Sequence, residues 1–227
     1  MSTIVEPLQL IPQFAIPGNW RLSDLQARLG NVPAERIRLN PPPGFATEED
    51  VLRIEAEEGV LCELQDGILI EKPMGWYESL LATLISGKIL QFLERNNLGQ
   101  VLGADGSLQI LPGIVKIPDV SFISWSRFPP EKVRRRPIPA LIPDLVVEVL
   151  SDTNTKEEMH AKLQTYFQSG VRLVWYIDSA SRSATAFTSV EQSIAIPTSG
   201  HLDGGEVLPG FRLSLQRLFE QADRQAP

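Results

Sequence analysis

From Trp76 to about Arg95 apolar residues return every three or four positions. Leu80, Leu81, Leu84, Ile85, Ile89, Phe92 and Leu93 form one stripe, which predicts the long helix of the fold. A second helical stripe, Met159, Leu163, Tyr166 and Phe167, runs through residues 155–169 and stops at Gly170. β-branched residues dominate Val101–Leu111, Val115–Ser124 and Leu145–Leu150, while Arg172–Asp178 is apolar and aromatic, so all four are predicted strands. Strand Leu145–Leu150, the 155–169 helix and strand Arg172–Asp178 make a βαβ unit, which normally crosses over into a parallel pair. Thr185–Ser189 and Ser193–Pro197 alternate with polar residues and suit an antiparallel margin, and Ser214–Gln221 closes the chain as a short helix.

Nearer the start, Asp66-Gly67 separates two alternating apolar runs, a strong hairpin signal. Thr47, with Asp50 three residues on, is a helix cap ahead of Val51, Leu52 and Ile54; that helix ends at Gly59. Before it, Pro7, Pro12, Pro17, Pro33 and Pro41-Pro42-Pro43 leave only brief helical patterns at Ser23–Leu29 and Pro33–Ile37. Residues 1–46 are therefore expected to be an arm packed outside a domain spanning 47–227. The expected fold class is α/β: a central mixed sheet from about residue 61 to 198, with the long helix on one face and the 155–169 helix on the other.

Composition narrows the chemistry. Apolar residues make up 43% and charged residues 22% of the 227, as in a folded globular chain. Lys plus Arg is 21 against 28 for Asp plus Glu, a net charge of −7, so bulk electrostatics cannot hold a polyanion and any phosphate chemistry needs a local arrangement. The single cysteine, Cys62, excludes an intrachain disulfide framework and a cysteine-rich zinc site. With no basic stretch leading into an apolar run at the N-terminus, and no run of roughly 18 apolar residues, a cytoplasmic protein away from membranes is expected. Only two histidines are present, and the glycine turns at Gly103–Gly106 and Asp203–Gly205 lack a P-loop lysine or a dinucleotide fingerprint. Histidine triads, zinc hydrolysis and nucleotide cofactors are not indicated.

Two acids lie where a charge is costly unless paired or holding a cation. Asp119 stands in Ile117-Pro118-Asp119-Val120, and Glu148 in the apolar strand Val146-Val147-Glu148-Val149-Leu150. The two belong to different strands and could meet across a sheet. Converging carboxylates repel unless a hard divalent cation sits between them, and magnesium accepts such a pair while keeping waters. The plainer reading of Asp119 is a residue beside a proline at a strand start, hydrogen-bonded locally.

These segments, with Lys162-Leu163-Gln164-Thr165-Tyr166-Phe167, Gly170 to Asp178 and the hairpin from Cys62 to Pro73, together resemble the Uma2 family over roughly residues 47–219. The resemblance implies a PD-(D/E)XK restriction-endonuclease-like fold and a magnesium- or manganese-dependent endonuclease acting on DNA. It also implies metal binding by Asp119 and Glu148. The basic residue expected two positions after the second acid is absent, because Leu150 stands there, and the family pattern places Lys162 on the following helix instead. Glu78, opening the long helix, matches an acid that nucleases of this fold often carry, although the macrodipole alone would also favour a glutamate there. Glu63 on the hairpin is a further candidate for the site, or else an outward strand residue. Lys132, Arg134, Arg135 and Arg136 form the one dense basic run, either a solvated loop or a set of phosphate contacts. A homodimer is expected of a nuclease that cuts both strands. Two other readings compete: a degenerate nuclease fold that binds without cleaving, and a structural homo-oligomer whose buried acids only hydrogen-bond.

Overall fold

In the computed structural model the described residues are 15–73, 75–129 and 135–224. The helix predicted from the apolar stripe, called α3, spans Trp76–Leu93 and buries Leu81, Ala82, Ile85 and Ile89. It covers one face of a six-stranded sheet whose centre is the parallel pair β7 (Leu145–Leu150) and β8 (Leu173–Asp178). The other face is covered by α4 (Lys156–Ser169), capped by the Thr155 hydroxyl at its start and by left-handed Gly170 at its end. The β7-α4-β8 unit is thus the parallel crossover that the sequence predicts. Strand alternation assigns the side chains: Leu145, Val147 and Val149 pack toward α3, and Val146 toward α4. Glu148 shares the Val146 face, and so points at α4. Truncating Leu81 or Ile85 to Ala would cost about 2–5 kcal/mol.

The sheet continues on one side through β9 (Ser183–Phe187) and β10 (Ser193–Ile196), both antiparallel, as expected of the margin. On the other side it continues through β6 (Val120–Ser124) and β3 (Gly99–Leu102), giving the order β10-β9-β8-β7-β6-β3. A short pair, β11 (His201–Asp203) with β12 (Arg212–Ser214), leads into α5 (Leu215–Ala222), which packs its buried Leu218 and Phe219 beside α3.

One central sheet was expected over residues 61–198; among the described residues that stretch forms two. The hairpin β1 (Cys62–Gln65) and β2 (Ile68–Glu71) joins β5 (Ile114–Lys116) and β4 (Leu108–Leu111) in a separate antiparallel sheet, ordered β2-β1-β5-β4. Each of two segments read as a single strand is broken between the sheets. Val101–Leu111 divides at the Gly103–Gly106 turn, and Val115–Ser124 divides at Pro118, which has no N–H for a ladder. The hairpin turn is the expected one, with Asp66 and Gly67 at φ 53° and 74°.

Helix α2 (Glu48–Glu58), capped at Thr47 and ended by left-handed Gly59, lies on one face of this smaller sheet through Val51 and Ile54 against Cys62, Leu64, Leu69 and Val115. The opposite face of β2 is covered by the N-terminal segment. Leu25 and Leu29 of α1 (Leu22–Arg28), with Val32 and Ile37, bury Ile68 and Ile70. The Ile37 backbone also bridges Ile70, and the Arg38 N–H donates to the Leu69 carbonyl at 3.0 Å. The arm is therefore tied to the hairpin by a small core and by backbone hydrogen bonds.

Candidate active site at the seam between the sheets

Pro118-Asp119 is where the chain passes from the smaller sheet to the larger one, so Asp119 stands at their seam. Its Oδ2 accepts the Val149 N–H at 2.7 Å, which fixes the carboxylate against the β7 backbone one residue past Glu148. Its Oδ1 meets the Lys72 ammonium at 2.8 Å. Lys72 follows β2 directly and also donates to the carbonyls of Ile117 and Ala104. The two acids singled out from sequence are thereby brought to one place: both line a cleft together with Arg36, Lys72, Gly75, Glu78, Ser151, Asn154 and Lys162.

Below this cleft lies an ion network built by strand alternation. In β1, Cys62 and Leu64 face α2, so Glu63 faces the other way; in β5, Val115 faces α2 and Lys116 the other way. Glu63 Oε2 meets Lys116 at 3.0 Å, and Glu63 Oε1 meets Lys162 at 3.1 Å. Lys162 rises from α4 and also reaches Glu148 Oε2 at 3.7 Å, so one ammonium bridges an acid of each sheet. Tyr166, one helical turn further along α4, donates its hydroxyl to Glu148 Oε1.

The three central groups respond differently to burial. Burial alone would raise the Glu63 carboxyl, but the Lys116 and Lys162 ammoniums outweigh it and hold Glu63 well below the usual carboxylate range. Glu148 goes the other way: burial raises it, Lys162 only partly opposes, and the Asp119 charge adds to the rise. The distances account for the contrast, since the shared ammonium sits closer to Glu63. Burial would lower Lys162, yet Glu148 and Glu63 hold it above its ordinary value, so it stays charged at neutral pH. Tyr166 is pushed well up by burial and by the Glu148 carboxylate, and remains a hydroxyl donor.

Among the described residues no three His, Cys, Asp or Glu side chains converge as a complete metal shell. The donor set nevertheless fits a hard dication. Asp119 and Glu148 offer only oxygen ligands to the cleft, and Glu78 lines it without joining them as a third ligand. Magnesium bound by one or two carboxylates keeps several waters, so a partial protein shell suits it. Formal charge agrees. The cleft and network hold Lys72, Lys116, Lys162 and Arg36 against Glu63, Asp119, Glu148 and Glu158, with Glu78 left over as one negative charge. A dication together with one phosphodiester would bring that total to neutral.

Of the other residues expected from sequence, Glu78 lines the cleft and its Oε1 lies 3.5 Å from the Ser179 hydroxyl. Glu63 does belong to the network, and its outward-facing alternative is corrected by its burial. Lys132 and Arg134 lie outside the described residues; Arg135 and Arg136 are exposed and do not line the cleft. Lys72, Lys116, Tyr166 and Arg36 were not anticipated. Lys116, placed between Val115 and Ile117, carried the same signal as Glu148, a charge inside an apolar run.

The model of the Uma2 family, described as "Putative restriction endonuclease", matches residues 48–216. A crystal structure of a putative nuclease belonging to DUF820 from Anabaena variabilis ATCC 29413 is similar in fold, with a TM-score of 0.63 at 17% identity. The alignment covers 71% of this chain and 91% of that one. No curated protein matches the chain. The fold is restriction-endonuclease-like, as the sequence resemblance implied.

Proposed function

The chain belongs to the Uma2 family, and from that premise we propose that it is an endonuclease that hydrolyses DNA phosphodiester bonds with a magnesium or manganese ion held by Asp119 and Glu148. The observation that carries the reading is the convergence of these two acids, one just ahead of β6 and one on β7, on one cleft that a buried lysine also lines. A bound dication supplies Lewis-acid neutralisation of the phosphate and a more acidic water. Asp119 and Glu148 would hold the ion through their carboxylates, and the attacking water gives its proton to solvent. The water oxygen bonds to phosphorus as the bond to the leaving sugar oxygen breaks, and that oxygen is protonated from solvent. Lys162 keeps its proton and acts as a fixed cation facing the phosphate rather than as an acid.

Nicking of supercoiled plasmid in Mg²⁺ or Mn²⁺ tests this. Wild type should nick, and Asp119→Ala should lose the metal-dependent rate by several orders of magnitude. Lys162→Met should also slow nicking strongly while leaving metal affinity equal or higher, because a positive charge near the cation is gone. A homodimer belongs to this proposal, and size-exclusion chromatography showing only a 25.2 kDa species would remove it. A second reading, a nuclease fold that binds without cleaving, is favoured by Leu150 at the position of the missing base and by lysines already neutralising both acids. It predicts metal or DNA binding with no nicking under any metal.

A further inference from the structure

Arg36 lies upstream of the family-matched residues, in the 3-10 turn Ala34–Arg36 of the arm. It is nonetheless 7% exposed and lines the cleft beside Asp119, Glu148, Lys72 and Lys162. Its placement is fixed from two sides. Nε donates to the Glu71 carbonyl at the end of β2, at 2.9 Å, and Nη1 donates to Glu158 Oε2 in the first turn of α4, also at 2.9 Å. Glu158 is itself oriented by its helix, its N–H donating to the Thr155 cap. The arm is held at the same spot by contacts that do not involve the arginine: the Thr155 hydroxyl donates to the Gly30 carbonyl, and a Cβ on Gly30 would come within 2.8 Å of the Glu157 carbonyl.

A guanidinium has five N–H donors in one plane, and these bonds engage two of them. Among the described residues Nη2 donates to no acceptor, and it is not a buried, unsatisfied atom either. Arg36 lines the cleft in which Asp119 and Glu148 also lie, so its unengaged donors belong to a residue of that wall. We propose that the arm completes the active site: Arg36 contacts the non-bridging oxygens of the phosphodiester being cut through its free N–H edge. This inference rests on the nuclease reading above and deepens it, because it makes a segment outside the family-matched region part of substrate recognition. A planar fork offering paired donors fits a phosphate in a way that the Lys72 or Lys162 ammonium does not.

The bland alternative is that Arg36 merely pins the arm to α4 through Glu158, and two variants separate the two. Arg36→Met removes the phosphate donor and the ion pair; Leu25→Ala loosens the arm at its own small core and touches neither Arg36 nor the cleft. Arg36→Lys, which keeps the charge but loses the fork, serves should Arg36→Met not fold. Each is compared with wild type by single-turnover plasmid nicking in Mn²⁺, by anisotropy titration of a short fluorescent DNA duplex in Ca²⁺, and by Mn²⁺ calorimetry. The expected result is a loss of 100-fold or more in nicking rate and of about tenfold in duplex affinity for Arg36→Met, with Mn²⁺ affinity kept. Leu25→Ala stays within about threefold of wild type in all three, and Arg36→Lys falls between. Parallel losses in Arg36→Met and Leu25→Ala would reduce Arg36 to a structural tie, and wild-type behaviour of Arg36→Met would remove it from the site. Should wild type bind the duplex and never nick, the nuclease reading fails while the duplex titration still decides whether Arg36 holds phosphate. A wild type that neither nicks nor binds overturns both.

Discussion

Glu63→Gln is the sharpest perturbation of the network below the cleft, because it removes a charge while keeping the shape. The carboxylate is 2% exposed, so solvent does little to screen it, and it stands about 3 Å from both Lys116 and Lys162. At an effective dielectric near 20, unit charges about 3 Å apart attract by roughly 5 kcal/mol before desolvation is counted. Desolvation of each ion cancels much of that, and removing one partner of a buried pair costs about 3–5 kcal/mol because the remaining charge is stranded. Here two ammoniums share one carboxylate, and Lys162 keeps only its longer contact to Glu148, so the upper part of that range is expected. In thermal unfolding of a chain this size, that corresponds to a loss of roughly 6–20 °C. The double variant Glu63→Gln/Lys116→Met should recover about 1–3 kcal/mol relative to the sum of the single changes, since one stranded cation is gone. Urea unfolding of the four proteins measures both numbers. A Glu63→Gln protein within about 0.5 kcal/mol of wild type would refute the claim that this carboxylate neutralises two buried lysines.

The same network sets the pH limits of stability. Glu63 is held below its ordinary 4.5, so its contribution is complete above that value and is lost as pH falls beneath it. Lys162 is held above its ordinary 10.5, so its contribution is complete below that value and fades as pH rises through the folded value. Cys62, pushed from 9.0 up to about 11 by burial, adds a further alkaline loss that begins near pH 9. Denaturant midpoints should fall at the acid and alkaline limits, with Glu63→Gln removing most of the acid slope, while the raised Glu148 carboxyl adds a decline as pH rises above 4.5 that Glu148→Gln removes. At the hairpin, Gly67 accepts hydrogen bonds from Gly44 and Ala46 at φ 74°, and an added Cβ would lie 2.4 Å from the Gly44 backbone. Gly67→Ala should therefore destabilise by more than about 1 kcal/mol and loosen the arm, read as faster hydrogen exchange at Gly44 and Ala46.

What the sequence disclosed followed from local signals. Glu148 was legible because a carboxylate between Val147 and Val149 has to face a partner, and the βαβ pattern placed α4 over it. The Asp66-Gly67 turn and the Thr47 cap were legible for the same reason, each being set by two or three neighbouring residues. The division into two sheets was not, because an alternating run looks the same whether or not the chain changes sheets midway, and only the Gly103–Gly106 turn and the lost N–H of Pro118 mark the breaks. Lys72 and Arg36 were hidden for a different reason. Lys72 reads as the polar end of a hairpin, and its burial depends on Asp119, which arrives many residues later. Arg36 sits in a proline-broken arm, and its partners come from β2 and α4. Ion pairs between distant segments leave no periodicity behind.

The central claim is that Asp119 and Glu148 together hold one divalent cation, and calorimetric titration with Mn²⁺ tests it without requiring any activity. The account predicts one site per chain in wild type. Asp119→Asn and Glu148→Gln should each weaken it by at least about 100-fold, titrated where circular dichroism shows each variant folded, because Asp119→Asn also strands the buried Lys72 ammonium and lowers the denaturant midpoint. Wild type that takes up no Mn²⁺, or variants that bind it as tightly as wild type does, would contradict the claim.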